Sequence, residues 1–238
     1  MTKLVFSLGI VFLFLPGINA QDIILERDIH EDMFNKDFGP NQKKFGHLFV
    51  NFEFIIDQNP DNGLDIKLFR SNVLSAGYRY KYKLKEFYAV GFELAYQHHN
   101  FNIKQDENKT FFNTVLHDKE QLVLNNFRIS LYQRLNYGKR GNFIGNFIDV
   151  GGYINWTFHA KHQIFNSKGV PDYLSGKTEI IHRDLEYVHP FHYGVITRIG
   201  FNRYAILLNY RLSNILKTTS FNFPPLPSLS LGFQVGLH

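Results

Sequence analysis

The chain has 238 residues and no Cys; 44% of it is hydrophobic, 16% aromatic, and the formal net charge is +5. A disulfide scaffold, a Cys-ligated metal and an Fe–S centre are therefore excluded, and so much aromatic surface argues against intrinsic disorder. The Lys and Arg residues are scattered rather than blocked, which argues against a nucleic-acid partner, and the only long apolar run is N-terminal, which argues against a helical membrane protein.

Residues 1–20 read as a secretory signal peptide. Lys3 supplies the positive start, Leu4 to Leu15 an apolar core, Pro16 and Gly17 a break, and Ala20 a small residue before the expected cleavage. No Cys follows, so lipoprotein processing is not expected. An exported chain starting near Gln21 excludes a cytosolic enzyme. Residues 21–45 are polar and charged, and are expected to form a periplasmic leader ahead of a domain over 46–238.

From there the period is two, the strand signal. The first strand sets Leu48, Val50, Phe52, Phe54 and Ile56 against His47, Phe49, Asn51, Glu53 and Ile55. The last sets Leu229, Leu231, Phe233, Val235 and Leu237 against Ser230, Gly232, Gln234, Gly236 and His238. Eight strands are predicted, over 46–57, 67–82, 85–100, 119–137, 142–161, 186–200, 203–214 and 228–238, with ends uncertain by about 2–4 residues. Their connections alternate: tight turns at Leu84, Gly138–Gly141 and Phe201–Asn202, long loops over 58–66, 101–118, 162–185 and 215–227.

Short turns on one rim, long loops on the other and an even strand count predict an all-β, eight-stranded antiparallel up-and-down transmembrane β-barrel of the cell outer membrane. The competing architecture is a secreted sandwich or lipocalin-like barrel with its apolar face inward. With the apolar faces turned to lipid, the lumen receives Glu53, Glu93 and Asp149 as acids and Arg79, Lys81, Arg128, Arg134, Arg198 and Arg211 as bases. An eight-stranded interior is only wide enough for side chains, so these charges are expected to pair as a structural ionic network. Tyr78, Tyr80, Tyr88, Tyr137, Tyr193 and Tyr204 are expected as an aromatic girdle at the short-turn rim.

The C-terminal region YRLSNILK (Tyr210 to Lys217), FPPLPSL (Phe223 to Leu229) and LSLGFQVGL (Leu229 to Leu237) resembles the last hairpin of small outer-membrane barrels of the Bacteroidota, the group that includes PorT-like proteins. The resemblance implies an eight-stranded outer-membrane barrel, usually without known activity, and a link to type IX secretion for PorT itself.

Arg211-Leu212-Ser213-Asn214 also resembles the His-x-Ser-Asn of PagL-type lipid A deacylases. Ser needs a neighbouring base to become a nucleophile, and Arg211 stands where that base would be; an arginine does not accept a proton at neutral pH. The expected role of Arg211 is instead to pair with a lumen acid. His98, His99, His159, His162, His182, His189 and His192 gather near the long-loop rim, but His159 and His162 fall on opposite strand faces and no HExxH is present. No metal or cofactor is expected. Glu53, Glu93 and Asp149 sit among arginines, which favours permanently ionised structural partners over glycosidase chemistry. Loops 101–118 (Lys104 to Lys109) and 162–185 (Gly169 to Tyr173) are candidate partner contacts.

The leading expectation is a non-catalytic scaffold, assembly or secretion-accessory barrel, with outer-membrane lipid, lipopolysaccharide and an envelope protein as partners. A PagL-like lipid enzyme and a narrow channel are the alternatives.

Overall fold

A computed structural model describes residues 39–56, 64–107, 109, 111, 115–166, 178–183, 185–217, 223 and 225–238. The chain divides into Met1–Lys36 and Asp37–His238, and everything described belongs to the second unit. The expected signal peptide over 1–20, most of the expected leader, and Gly169 to Tyr173 lie outside the described residues.

The described residues form no helix and nine strands: β1 (Lys44–Ile55), β2 (Asn72–Lys85), β3 (Tyr88–Ile103), β4 (Lys119–Tyr137), β5 (Asn146–Asn166), β6 (Thr178–Arg183), β7 (Phe191–Phe201), β8 (Tyr204–Arg211) and β9 (Leu229–Leu237). All pairings are antiparallel. The order β4-β3-β2-β1-β9-β8-β7-β5 returns to its start through a β4–β5 ladder, so the sheet is ring-like. β1 meets β9 with Leu48 opposite Leu237 and Phe54 opposite Leu231.

β6 departs from the expected eight strands. The 162–185 segment, expected as a loop, instead lengthens β5 to Asn166 and returns as β6, which pairs only with the end of β5, from Lys161↔Arg183 to Asn166↔Thr178. The lower part of β5 pairs with β7 instead, from Asn146↔Phe201 to Trp156↔Phe191. One strand thus serves two neighbours along its length. β2 starts at Asn72 rather than 67, because Leu68–Arg70 turn, with Phe69 at φ 59°.

The tight turns follow local chemistry. Asn202 between β7 and β8 has φ 51°, a left-handed conformation that Asn tolerates because its short amide bonds locally. The β4–β5 turn needs the same hand at Gly138 (φ 77°) and Gly141 (φ 53°), which glycine adopts without a Cβ clash.

Burial along the strands alternates with the opposite sense to that of a soluble protein. On β4, Leu131 is 68% exposed while Arg134, on the other face, is 1% exposed. Leu48, Val50 and Phe52, Ile148, Val150 and Ile154, and Ile206 and Leu208 all face outward. Asn51, Glu53, Arg79, Glu93, Asn126, Asp149 and Arg198 are buried inside.

The aromatic girdle needs a correction at two positions. Tyr80, Tyr88, Tyr137 and Tyr204 lie near the short-turn end, but Tyr193 is the third residue of β7, at the long-loop end, because β7 runs from loop to turn. Tyr78 sits mid-strand, opposite Leu48 and Leu94.

Candidate functional site

Among the described residues, alternating strands deliver many charged side chains to the interior of the ring. In its lower half, next to the short turns, five of the expected residues converge. Glu93 of β3 accepts from Arg79 Nη2 (2.7 Å) and Nε (3.0 Å) on β2. Arg198 Nη2 of β7 reaches the same carboxylate across the ring, at 2.8 and 2.7 Å. Arg134 Nε and Nη2 bind Asp149 bidentately at 2.7 and 2.8 Å, and Arg198 Nη1 approaches Asp149 Oδ2 at 3.8 Å. These groups are buried, so their attraction is little screened and their geometry is held.

Aromatic rings and small residues fill the space between them. The Arg134 guanidinium lies 3.8 Å from the Phe147 ring centroid, and Arg79 lies 5.0 and 5.5 Å from those of Phe49 and Tyr132. Tyr132 Oη donates to Tyr80 O at 3.1 Å. Its ring fits because Gly91 has no side chain: a Cβ there would lie 2.5 Å from the Tyr132 hydroxyl. Lys81 Nζ donates to Pro40 O at 2.8 Å below the cluster.

The other three expected residues, Glu53, Arg128 and Arg211, make described bonds to uncharged groups. Glu53 Oε2 accepts from Asn209 Nδ2 and Ser230 Oγ, both at 2.6 Å. Arg128 Nε donates to Asn155 (3.0 Å) and Nη1 to Asn209 (3.1 Å), with its guanidinium 3.8 Å from the Tyr153 centroid. Asn209 therefore stands between acid and base. Arg211 Nη2 donates to Leu226 O and Pro227 O, each at 2.7 Å, and so ties the Pro-rich connection to the end of β8. The physical reason is reach: the Asn209 amide of β8 fills the gap that a direct Glu53–Arg128 pair would have to cross. A cavity of ≈30 Å³ remains among Glu53, His99, Arg128, His192 and Arg211, room for one ordered water.

Above it the interior turns apolar. Ile55, Leu64, Ile66, Val73, Phe101, Ile103, Phe111, Leu122, Leu124, Tyr187, Val188, Ile215, Leu216 and Leu226 form one buried cluster, drawn from strand ends and long loops. One charged group sits beside it: Glu120 accepts from His162 Nε2 (2.8 Å) and Gln105 Nε2 (3.0 Å) and pairs with Lys109 Nζ (2.5 Å). Burial raises the pKa of the Tyr187 phenol in this cap, and the nearby Glu120 charge adds to the rise. The sequence reading missed the Glu120 group because Lys109 comes from a loop. The signal available was the unbroken apolar run Leu122-Val123-Leu124, where alternation stops and both faces are buried.

The chemical candidates find ordinary partners. Ser213 Oγ accepts from Tyr193 N (2.8 Å) and donates to Tyr193 O (3.4 Å), which fixes the β8 end against β7. His98 meets Asn125 Oδ1 at 2.8 Å, His99 meets Gln97 at 3.2 Å and His192 meets Asn155 at 2.9 Å. Among the described residues no three His, Asp or Glu side chains gather as metal ligands. No family model and no curated protein matches the chain.

Proposed function

We propose that the chain is an eight-stranded transmembrane β-barrel of an outer membrane, acting without catalysis as a scaffold, assembly or secretion-accessory protein through its long loops or its lipid-facing wall. One observation carries the reading: the ring buries its charges and exposes its aliphatic and aromatic side chains. Water penalises that arrangement and hydrocarbon favours it. Ring closure leaves β1 and β9 paired, so the ring has no free strand edge between them.

The dimensions agree. Phe127 and Tyr137, both exposed, are ten residues apart on β4, roughly 33 Å along a strand. At the usual barrel tilt this spans about 25 Å, the height of an apolar band between aromatic girdles. At the upper level Phe127 stacks on Phe158 (4.7 Å) with Tyr96 and Trp156 beside them. A packed polar interior and an apolar cap leave the loops and the wall as the surfaces for partners.

The test is gentle detergent extraction from native membranes, with a tag in the β5–β6 connection and mass spectrometry of co-purifying material. Detergent-dependent solubility, heat-modifiable electrophoretic mobility and a stoichiometric protein partner are expected. A monodisperse protein in buffer without detergent would overturn the membrane reading. A lone barrel accompanied by altered lipid A acylation that depends on Ser213 would overturn the non-catalytic one.

A further inference from the structure

Among the described residues the two ends of the ring differ in charge. At the short-turn end stand Lys43 and Lys44 before and at the start of β1, Lys83 and Lys85 at the end of β2, Lys139 and Arg140 in the β4–β5 turn, and Arg203 in the β7–β8 turn. The described acid among them is Glu86, held by Lys83 Nζ at 2.9 Å and by Arg140. Lys43, Lys44, Lys85, Lys139 and Arg203 have no described carboxylate partner and are all exposed. At the long-loop end, by contrast, the described acids Asp65, Asp106, Glu107, Asp118, Glu120, Glu179 and Glu186 offset the cations; Lys104 pairs with Asp65 (3.4 Å) and Asp106 (3.1 Å), and Lys109 with Glu120.

Two of the short-turn cations lie beside aromatic rings. Lys43 Nζ lies 5.6 Å from the Tyr82 centroid and Lys85 Nζ 5.9 Å from that of Phe87. Phe87, Tyr137, Phe143, Phe201 and Tyr204 are exposed at the same level, where the apolar outer wall ends. The Lys139-Arg140 turn separates two clefts. One, of ≈520 Å³, is bordered by Asn41, Phe87, Asn136 and Tyr137. The other, of ≈280 Å³, is bordered by Phe143, Gly145, Phe201 and Asn202.

We infer that this short-turn end binds anionic phospholipid, with headgroup phosphates at Lys139 and the neighbouring lysines and acyl chains along the exposed rings. The inference rests on the membrane reading above. Charge complementarity selects the anion, because Lys43, Lys44, Lys85, Lys139 and Arg203 are exposed and have no carboxylate partner among the described residues. Continuity with the apolar wall selects a lipid over an acidic protein: ammonium groups beside aromatic rings, at the level where the apolar wall ends, suit a headgroup boundary.

The test places the full-length protein in nanodiscs of phosphatidylcholine alone and of phosphatidylcholine with phosphatidylglycerol in equal amounts. Native mass spectrometry then counts the lipids retained. Phosphatidylglycerol is expected to be retained over phosphatidylcholine by about fivefold or more, the effect of about one surface cation on an anionic headgroup. The preference should shrink with added salt. It should vanish in the Lys44→Gln, Lys85→Gln, Lys139→Gln, Arg203→Gln variant at unchanged heat-modifiable mobility. Equal retention of the two lipids, or an unchanged preference in the variant, overturns the inference and leaves the charge to an acidic protein. Failure to enter phosphatidylcholine bilayers at all strikes the membrane reading instead, so the two failures are distinguishable.

Discussion

In the lower interior, Arg79, Glu93, Arg134, Asp149 and Arg198 are contributed by strand positions that alternate with outward-facing apolar residues; Arg79–Glu93 and Arg134–Asp149 pair between neighbouring strands, and Arg198 joins Glu93 across the ring. In the upper interior, Phe101, Phe111, Leu122, Leu124, Tyr187 and Leu226 pack as they would in a water-soluble core, and several come from connections. The lower half depends on electrostatic matching in which removal of one member leaves another charge stranded. The upper half depends on shape and area, and its loss is graded. One ring thus carries two kinds of stability, divided near Glu53 and Arg128.

The sharpest way to break this contrast is Glu93→Gln, which strands Arg79 and Arg198 in a dry interior. We expect a loss of about 3–5 kcal/mol, read as a lower urea midpoint of the heat-modifiable band for the whole ring. Leu122→Ala should cost about 2–4 kcal/mol through the cavity it opens. Its effect should be local: faster proteolysis and hydrogen exchange in the loops, with the ring midpoint moved less. An equal global effect of both substitutions would erase the division between the halves.

Gly91→Ala sharpens the packing side of the comparison. Its Cβ would meet Tyr80 O at 2.2 Å and the Tyr132 ring at 2.5 Å, so about 1–3 kcal/mol of strain is expected. Gly152→Ala is the control, because the nearest atom is 3.8 Å away; a change within about 0.5 kcal/mol is expected from the same urea titration.

A small, pH-dependent effect belongs to Glu86, in the turn between β2 and β3. A hydrogen bond from Lys83 lowers its pKa below 4.5, despite slight desolvation, with the Lys83 and Arg140 charges assisting. A depressed folded pKa stabilises above the unfolded value and loses that contribution as pH falls through the folded one. Because Glu86 is 79% exposed, the loss below pH 4.5 should stay under about 1 kcal/mol. Comparing the acid limbs of wild type and Glu86→Gln measures it; a larger difference would mean that the turn is more deeply integrated than its exposure implies.

The lower half was legible in the sequence because alternation at period two is a local property. Glu93, Arg134, Asp149 and Arg198 reach the interior whatever their neighbours do, once their strands are placed. The positions of Glu53, Arg128 and Arg211 were legible but their partners were not. Pairing depends on which residues of distant strands face one another across the ring, as Asn209 faces both Glu53 and Arg128. The cap and β6 were least legible. Both need contacts between segments far apart in the chain, and Ile180 and Ile181 of β6 show no alternation to announce a strand.

The pairing of Leu48 with Leu237 has a consequence for the order of events during synthesis. The first strand's last neighbour is also the last to be made, so every shorter chain presents an open edge at β1. Such an edge is a template for wrong partners, and contacts separated by nearly the whole chain form slowly. Shielding the β1 edge until the C-terminal strand arrives, by a chaperone or by delayed release, would prevent such mispairing.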